Sequence, residues 1–393
     1  MIPPAYRFYV TGGGLFPEGP HTWDVIDWDL RRWFQVTGPA EALPEDTDGI
    51  AVVRRYVDQL SPDVHCLEID AQGNLLSTSS KDPTLEIRYP EYSGTLGKGE
   101  VARRSQLTEI DRFHVCTDLV EYHPPHGDKE VVAFKYTLIQ QRVKDIWDEL
   151  YILKAFKGHN SIVQFHRVIL DDVSEKVLGF TSEYIPGGTL EHYKDHNRPF
   201  YFRWMEQLTN AIDDINLIFG LMHQDIAPRN ILYDPATESL KVFDFDRSAL
   251  IGSKRQDLCR NDVDGLIFTI YETLTTDDQY RTIPFEEQDV AQVENLEFWK
   301  PVIPLEEGKG GIAAYRSFIA KWAAARRTTR MIQHYSEATT PIIWPAYTKP
   351  GNFIVQTETG NIPLACRTRT EALAAGDYVT CWERPPQQEK CIL

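Results

Sequence analysis

No run of apolar residues approaches the ~18 needed to span a bilayer; the best candidate, residues 215–222, is far too short. The first residues, Met1-Ile2-Pro3-Pro4-Ala5-Tyr6-Arg7, carry no apolar core of the kind a secretory signal needs, so none is expected. Basic residues are in deficit: 41 Lys and Arg stand against 58 Asp and Glu, a formal charge of −17. That balance weighs against a nucleic-acid partner recognised through phosphate neutralisation, while leaving room for a small basic pocket. The six cysteines show no C-x-x-C spacing, which excludes the usual metal knuckles and a disulfide scaffold. Cys391, third from the end, does not fit a prenylation box. No N-x-S/T sequon, internal repeat or long low-complexity tract is present. Gly97-Lys98-Gly99 lacks the order of a Walker A loop and reads as part of a connector. The expectation is a reduced protein of the cytoplasm, with the nucleus as the alternative, and with neither a membrane nor a nucleic-acid partner.

What is present is an ordinary globular composition, 42% hydrophobic and 25% charged over 393 residues, ample for a sizeable core. Residues 1–100 read as a separate accessory module and linker. It opens with a loop at Gly12-Gly13-Gly14, has a short helix near 49–60, and forms a hairpin from Val64–Asp70 and Asn74–Ser77 around Ala71-Gln72-Gly73. Trp23, Trp28 and Trp33 read as packing between this module and the remainder. From residue 101 the texture changes. Gln106–Phe113, Thr117–Tyr122 and Glu130–Leu138 alternate apolar and polar residues, as antiparallel strands do. A helix over Val143–Phe156 and strands over Ile162–Leu170 and Val177–Tyr184 follow. Beyond Pro186-Gly187-Gly188 the pattern is mainly helical, over 203–219, 262–275 and 311–326, with a short sheet at 231–233 and 240–244. The expected organisation is 1–100, a strand-rich lobe at 101–186, a helical lobe at 187–345 and a tail at 346–393.

The chemistry concentrates in a few segments. His223-Gln224-Asp225-Ile226-Ala227-Pro228-Arg229-Asn230 sets a carboxylate and an amide five apart on a loop. A carboxylate so placed accepts a proton from an attacking hydroxyl, and an amide oxygen ligates a divalent cation. Val242-Phe243-Asp244-Phe245-Asp246 places acids after a β-run, where Mg²⁺ bridging nucleotide phosphates is held. Val132-Ala133-Phe134-Lys135 puts a lysine on a strand suited to burial, and a buried ammonium needs a carboxylate; Glu149, 14 residues on, is the natural partner.

Together these segments resemble the eukaryotic protein-kinase-like fold over about 101–330. Val132-Ala133-Phe134-Lys135 resembles the VAIK strand. Glu149 and His159-Asn160-Ser161-Ile162-Val163 resemble the helix-C acid and the segment after it. Ser182-Glu183-Tyr184-Ile185 resembles the gatekeeper and hinge. His223–Asn230 is similar to HRDxxxxN, Asp244-Phe245-Asp246 stands in for DFG, and Asp262 for the acid that supports the catalytic loop. The whole chain also resembles a group of fungal kinase-like proteins, down to Trp382-Glu383-Arg384-Pro385-Pro386. The resemblance implies an α+β, bilobal fold with a five-stranded antiparallel lobe, a helical lobe and an extra N-terminal module. It implies ATP and Mg²⁺ as cofactors and phosphoryl transfer to a hydroxyl, by default on a protein. Asp225 would orient or deprotonate the acceptor, Asn230 and Asp244 would hold Mg²⁺, and Lys135 with Glu149 would position phosphates. Ala133, Ser182 and the backbone of Glu183 and Ile185 would line adenine. His223 and Asp262 would support the loop. Arg229, in an Asp-x-Ala-x-Arg-Asn arrangement, would add positive charge near the γ-phosphate.

Two departures open alternatives. The turn within Asp111–Asp118 has no glycine, and close backbone approach to phosphates is easiest without a Cβ, so a pseudokinase acting as a nucleotide-binding or scaffold protein is one alternative. Asp244 and Asp262 are 262 − 244 = 18 positions apart, about half the usual separation, and no APE motif intervenes. That favours a small acceptor, as in aminoglycoside- or choline-kinase-like enzymes. Elsewhere, His123 and His126 read as a solvated turn, Cys259 as an inert thiol, and Arg326, Arg327 and Arg330 as a solvated helix end.

Overall fold

The computed structural model describes residues 2–16, 19–92, 100–196, 198–343, 346–348, 351, 353–357, 360–364 and 366–386. Gly97-Lys98-Gly99 and Cys391 lie outside the described residues. The chain divides into two compact units, one of Met1–Ile146, Arg167–Thr181 and Tyr347–Leu393, the other of Trp147–His166 and Ser182–Ala346.

The first unit opens with β1 (Phe8–Gly14), β2 (His21–Asp27), β3 (Arg32–Gly38), helix α1 (Asp46–Tyr56), β4 (Cys66–Ile69) and β5 (Leu75–Ser79), a five-stranded sheet in the order β1-β2-β3-β4-β5. Gly12-Gly13-Gly14 is therefore strand, not loop. Its pairing with β2 lacks any side-chain alternation that the sequence could have displayed. The hairpin expected in 64–77 is β4–β5, and the expected helix is α1, beginning three residues earlier than anticipated. Val25, Phe34, Val36, Val53, Leu67 and Ile69 form the core between this sheet and α1, with Trp23 packed at its margin.

The second sheet contains β6 (Val101–Arg103), β7 (Leu107–His114), β8 (Thr117–Tyr122), β9 (Glu130–Tyr136), β10 (Phe165–Leu170) and β11 (Val177–Glu183). Its order is β6-β10-β11-β9-β8-β7, and β6 runs parallel to β10. The expected five antiparallel strands are thus six, one pair of them parallel; a three-residue edge strand is too short to show a period in sequence. Helix α2 (Val143–Ala155) follows β9 in the chain. Along β9, Val132, Phe134 and Tyr136 are buried on one face while Ala133 and Lys135 take the other, as a period of two requires. On the first face lie Val120, Tyr122, Leu178, Ile26, Trp28, Tyr89 and Trp382, with Trp33 partly buried beside them. Trp28 and Trp33 thus do the packing expected of them, and Trp23 belongs to the other core. Gly179 on β11 cannot be replaced: a Cβ there would sit 2.1 Å from the Lys135 carbonyl oxygen.

The second unit holds α3 (Phe202–Asp213), β12 (Leu221–Met222), β13 (Ile231–Asp234), β14 (Ser239–Val242), β15 (Ala249–Leu250), α4 (Asp262–Thr275), α5 (Ala291–Glu294) and α6 (Gly311–Thr328). Helix α3 buries Trp204, Met205, Leu208, Ala211 and Ile212, an amphipathic stripe, and continues as a π-helical turn at Asp214–Ile218. Helix α4 is apolar nearly all round and correspondingly buried; Asn261 caps it by accepting from the Val263 N–H at 2.8 Å. Of the arginines at the end of α6, Arg327 and Arg330 are exposed as expected of a solvated helix end, but Arg326 is not. Arg326 is buried and donates to Asp213 at 2.7 Å and Asn216 at 2.8 Å, while Arg327 pairs with Asp264 and Glu294. Among the described residues no helix is long and apolar enough to cross a membrane, and the five described cysteines are unbridged.

Candidate active site

The loop from Met222 to Ile231 is built on buried hydrogen bonds rather than on regular structure. Asp262, at the first turn of α4 and 1% exposed, accepts three N–H groups: the His223 backbone and the Asn216 side chain on Oδ2, and the Gln224 backbone on Oδ1, each at 2.8 Å. A carboxylate at a helix N-terminus is also favoured by the helix dipole. His223 is fully buried, and its Nε2 meets the Phe243 carbonyl at 3.0 Å, tying the loop to the strand that leads to Asp244. Both residues thus bond to backbone groups.

Asp225, 7% exposed, is held from both sides. Its Oδ1 accepts from Arg229 Nη2 at 2.6 Å and its Oδ2 from Asn230 Nδ2 at 2.9 Å; Nδ2 also donates to the Asp225 carbonyl at 2.8 Å. The Asn230 nitrogen is thereby committed, which leaves Oδ1 as the atom that amide offers a hard cation. The Phe243 N–H donates to the Asn230 carbonyl at 3.1 Å, so Asn230 and Asp244 are set by one backbone link. Asp244 has φ +66°, a left-handed conformation that aspartate tolerates better than most side chains. The following Phe245 is fully buried, and its N–H donates to Glu149 Oε1 at 3.2 Å. Arg247 Nε stands 3.9 Å from Asp225 Oδ2.

At the chain segment resembling a hinge, the Glu183 N–H donates to the Gln164 carbonyl at 2.9 Å, so that N–H is already engaged. The Glu183 carboxylate accepts from Lys241 at 2.7 Å and from the Gln164 N–H at 2.8 Å. Ile185 is buried and Ser182 half-buried. Lys135 and Ala133 belong to the first unit, on the face of the sheet opposite Phe134. Among the described residues no group of three or more His, Cys, Asp or Glu gathers to form a metal site on its own.

Motif reading missed two supports. Arg281, beyond α4, donates to the Ile226 carbonyl at 2.8 Å and to the Gly265 carbonyl at 2.6 Å, and lies 2.9 Å from Glu272. Burial pushes the Glu272 carboxyl up to about 7, against the opposing pull of Arg281 and with Asp278 adding to the rise. The second is Gln224, whose side chain reaches the segment after Asp244. Neither had a sequence signal, since both act on backbone groups of residues distant in the chain.

Residues 124–281 match the protein kinase domain family. The chain is 37% identical over 104 residues to CBL-interacting protein kinase 15 of Oryza sativa subsp. japonica, covering 25% of this chain and 23% of that protein. It is 33% identical over 133 residues to CBL-interacting protein kinase 28 of the same plant, covering 33% and 28%. The chain spans about a quarter of the length of these curated relatives. The fungal likeness read from the sequence remains a resemblance. Sheet-rich and helical segments and the loop built on Asp262 agree with the match over residues 124–281: that region is similar to the protein-kinase-like superfamily.

Proposed function

We propose that the protein is an ATP- and Mg²⁺-dependent phosphotransferase that moves the γ-phosphoryl group to a hydroxyl, with a protein side chain as acceptor. The observation that carries this reading is the Asp225 carboxylate, buried, oriented from both sides by Arg229 and Asn230, and tied through Asn230 to Asp244. Asp225 accepts the proton of the attacking hydroxyl as its oxygen bonds to the γ-phosphorus and the bond to the β-phosphate oxygen breaks. Arg229 offsets negative charge beside that proton transfer. Asn230 Oδ1 and the Asp244 carboxylate would hold the cation, and two hard oxygen donors suit Mg²⁺. Bound there, Mg²⁺ neutralises charge on the transferring phosphates. The resemblance gives Lys135 the role of a further cation for phosphate oxygens, and the Ser182–Ile185 backbone that of lining the adenine. Unbridged thiols fit a reducing compartment such as the cytoplasm.

The 18-position interval between Asp244 and Asp262 favours a second reading, a small-molecule acceptor, because it leaves little chain on which to seat a peptide. Incubation with γ-labelled ATP and Mg²⁺ against separate protein and metabolite pools tests both. Label should enter one pool, fall by ~10²-fold or more in Asp225→Asn, and vanish on chelation. Mg·ATP binding in calorimetry without transfer to either pool would leave the pseudokinase reading instead.

A further inference from the structure

Gln224 separates His223 from Asp225 and has no role in the chemistry above. Its backbone is left-handed, φ +66°, a conformation costing a non-glycine residue on the order of 1–3 kcal/mol. The Asp262 carboxylate pins it there by accepting its N–H. The consequence is the direction of the side chain, which is 5% exposed and aims at the segment after Asp244. Nε2 donates to the Arg247 carbonyl at 2.6 Å and to the Arg255 carbonyl at 3.4 Å, while Oε1 accepts the Asp257 N–H at 2.5 Å. One planar amide thus grips both ends of the stretch 247–257. A glutamate would lose the donor and an arginine the acceptor, so only a primary amide of this length makes all three contacts.

The stretch so held bears on Asp225. Arg247, roughly half-exposed, is the residue whose carbonyl Gln224 grips and whose guanidinium stands 3.9 Å from Asp225 Oδ2. The segment has further anchors that need no modification: the Ile251 N–H donates to the Gly220 carbonyl at 3.0 Å, and Arg255 pairs with the buried Asp148. Between Asp244 and Asp262 the only hydroxyls are Ser248 and Ser253, and Ser248 is 3% exposed.

We propose that Gln224 is a positioning residue for acceptor binding, a neutral staple that fixes 247–257 and holds Arg247 beside Asp225 without a phosphorylated side chain. The proposal rests on the phosphotransferase reading. Because the amide carries no charge, the staple is indifferent to ionic strength, unlike a segment held by an exposed ion pair.

Hydrogen exchange on the full chain tests it, in the wild type before and after phosphatase treatment and in Gln224→Met, which keeps the volume, and Gln224→Glu, which keeps the acceptor. Exchange within 247–257 should quicken by about tenfold or more in Gln224→Met. Protection of the Asp257 N–H should be partly restored in Gln224→Glu, and phosphatase should change nothing. With a degenerate Ser/Thr/Tyr peptide array as acceptor, Gln224→Met should raise the acceptor KM about tenfold while the Mg·ATP dissociation constant stays within about twofold. Unchanged exchange in Gln224→Met, or wild-type protection that phosphatase removes, overturns the staple. Wild-type protein that transfers no phosphate to any acceptor, yet whose Gln224→Met variant loosens 247–257, overturns the phosphotransferase reading and the acceptor role while leaving the staple intact.

Discussion

Asp225 accepts from two donors, and each has a different consequence when removed. Asn230 is 3% exposed and touches both the carbonyl and the carboxylate of Asp225. Asn230→Ala takes this donor from two Asp225 oxygens, Oδ2 and the carbonyl, and deletes the proposed cation ligand, so Mg·ATP affinity and turnover should fall together. Arg229 is about half-exposed, and solvent screens its ion pair. Arg229→Ala should cost little stability, under ~1 kcal/mol, yet lower turnover, a split read by comparing a thermal melt with a γ-labelled ATP assay. Glu272 gives the pH signature. Burial raises its carboxyl from an ordinary 4.5 to about 7 in the folded state. The folded chain therefore holds a proton that the unfolded chain has already released between those values, and stability must decline as pH rises across that window. The decline from this group amounts to about 3 kcal/mol at most. Glu272→Gln should remove it: denaturant melts from pH 5 to 8 should flatten relative to the wild type, with the variant the more stable at pH 8. Parallel pH curves for the two proteins would refute the assignment.

The elements of the site act through their ends. Helix α4 contributes no residue to the proposed chemistry, but its first-turn Asp262 holds three N–H groups of the loop and the preceding helical turn. Asp262→Ala strands those buried donors, each worth roughly 1–3 kcal/mol when unsatisfied. The expected result is a melting temperature lowered by several degrees and exchange quickened at residues 222–226, measured on the purified variant. Such end effects also decide what the sequence disclosed. Helix α4, strand β9 and the pair β13–β14 were legible because each repeats its period long enough to be counted. Asp225, Asn230 and Asp244 were legible because their chemistry ties residue type to spacing. Strands β1–β3 were obscured by Gly12-Gly13-Gly14 and by tryptophans spaced as in a loop, and β6 by its three-residue length. Arg281 and Gln224 were invisible for a further reason. They bond to carbonyls and N–H groups, which every residue has, so no side-chain pattern in the partner segment announces them.

At the scale of the molecule, the N-terminal module and the tail are parts of the first unit rather than appendages. Arg31, in a left-handed turn between β2 and β3, delivers its guanidinium to Asp118 and to the Tyr136 hydroxyl, the latter at 2.9 Å. Arg384, from beyond helix α7 (Arg369–Ala374), reaches the same Asp118 at 3.0 Å and Glu109 at 2.6 Å. Arg112 on β7 donates to the Asp29 carboxylate at 3.0 Å and to the Pro385 carbonyl at 3.0 Å. These partners gather at the β7–β8 hairpin, whose turn carries no glycine and whose Cys116 sits at φ +55°. They occupy the face of the sheet on which Phe134 is buried, and Lys135 lies on the opposite one. Module and tail therefore brace the hairpin on the face opposite Lys135. Breaking the brace at its most buried charge is the sharpest trial. Asp118 is 1% exposed, and Asp118→Ala takes from Arg31 its ion-pair partner while Arg384 keeps only Glu109. Loss of one member of a buried pair costs about 3–5 kcal/mol. Trp382 stacks on Tyr136 at 4.9 Å, and Arg31 lies over it at 5.2 Å; its replacement by alanine, Trp382→Ala, should cost a similar amount through lost packing. Because the two losses share Arg31 and Tyr136, the double variant should lose less than the sum of the singles by 0.5 kcal/mol or more. Strict additivity in denaturant melts would mean that the tail and the N-terminal turn stabilise the sheet independently, and the shared brace would be the wrong description of it.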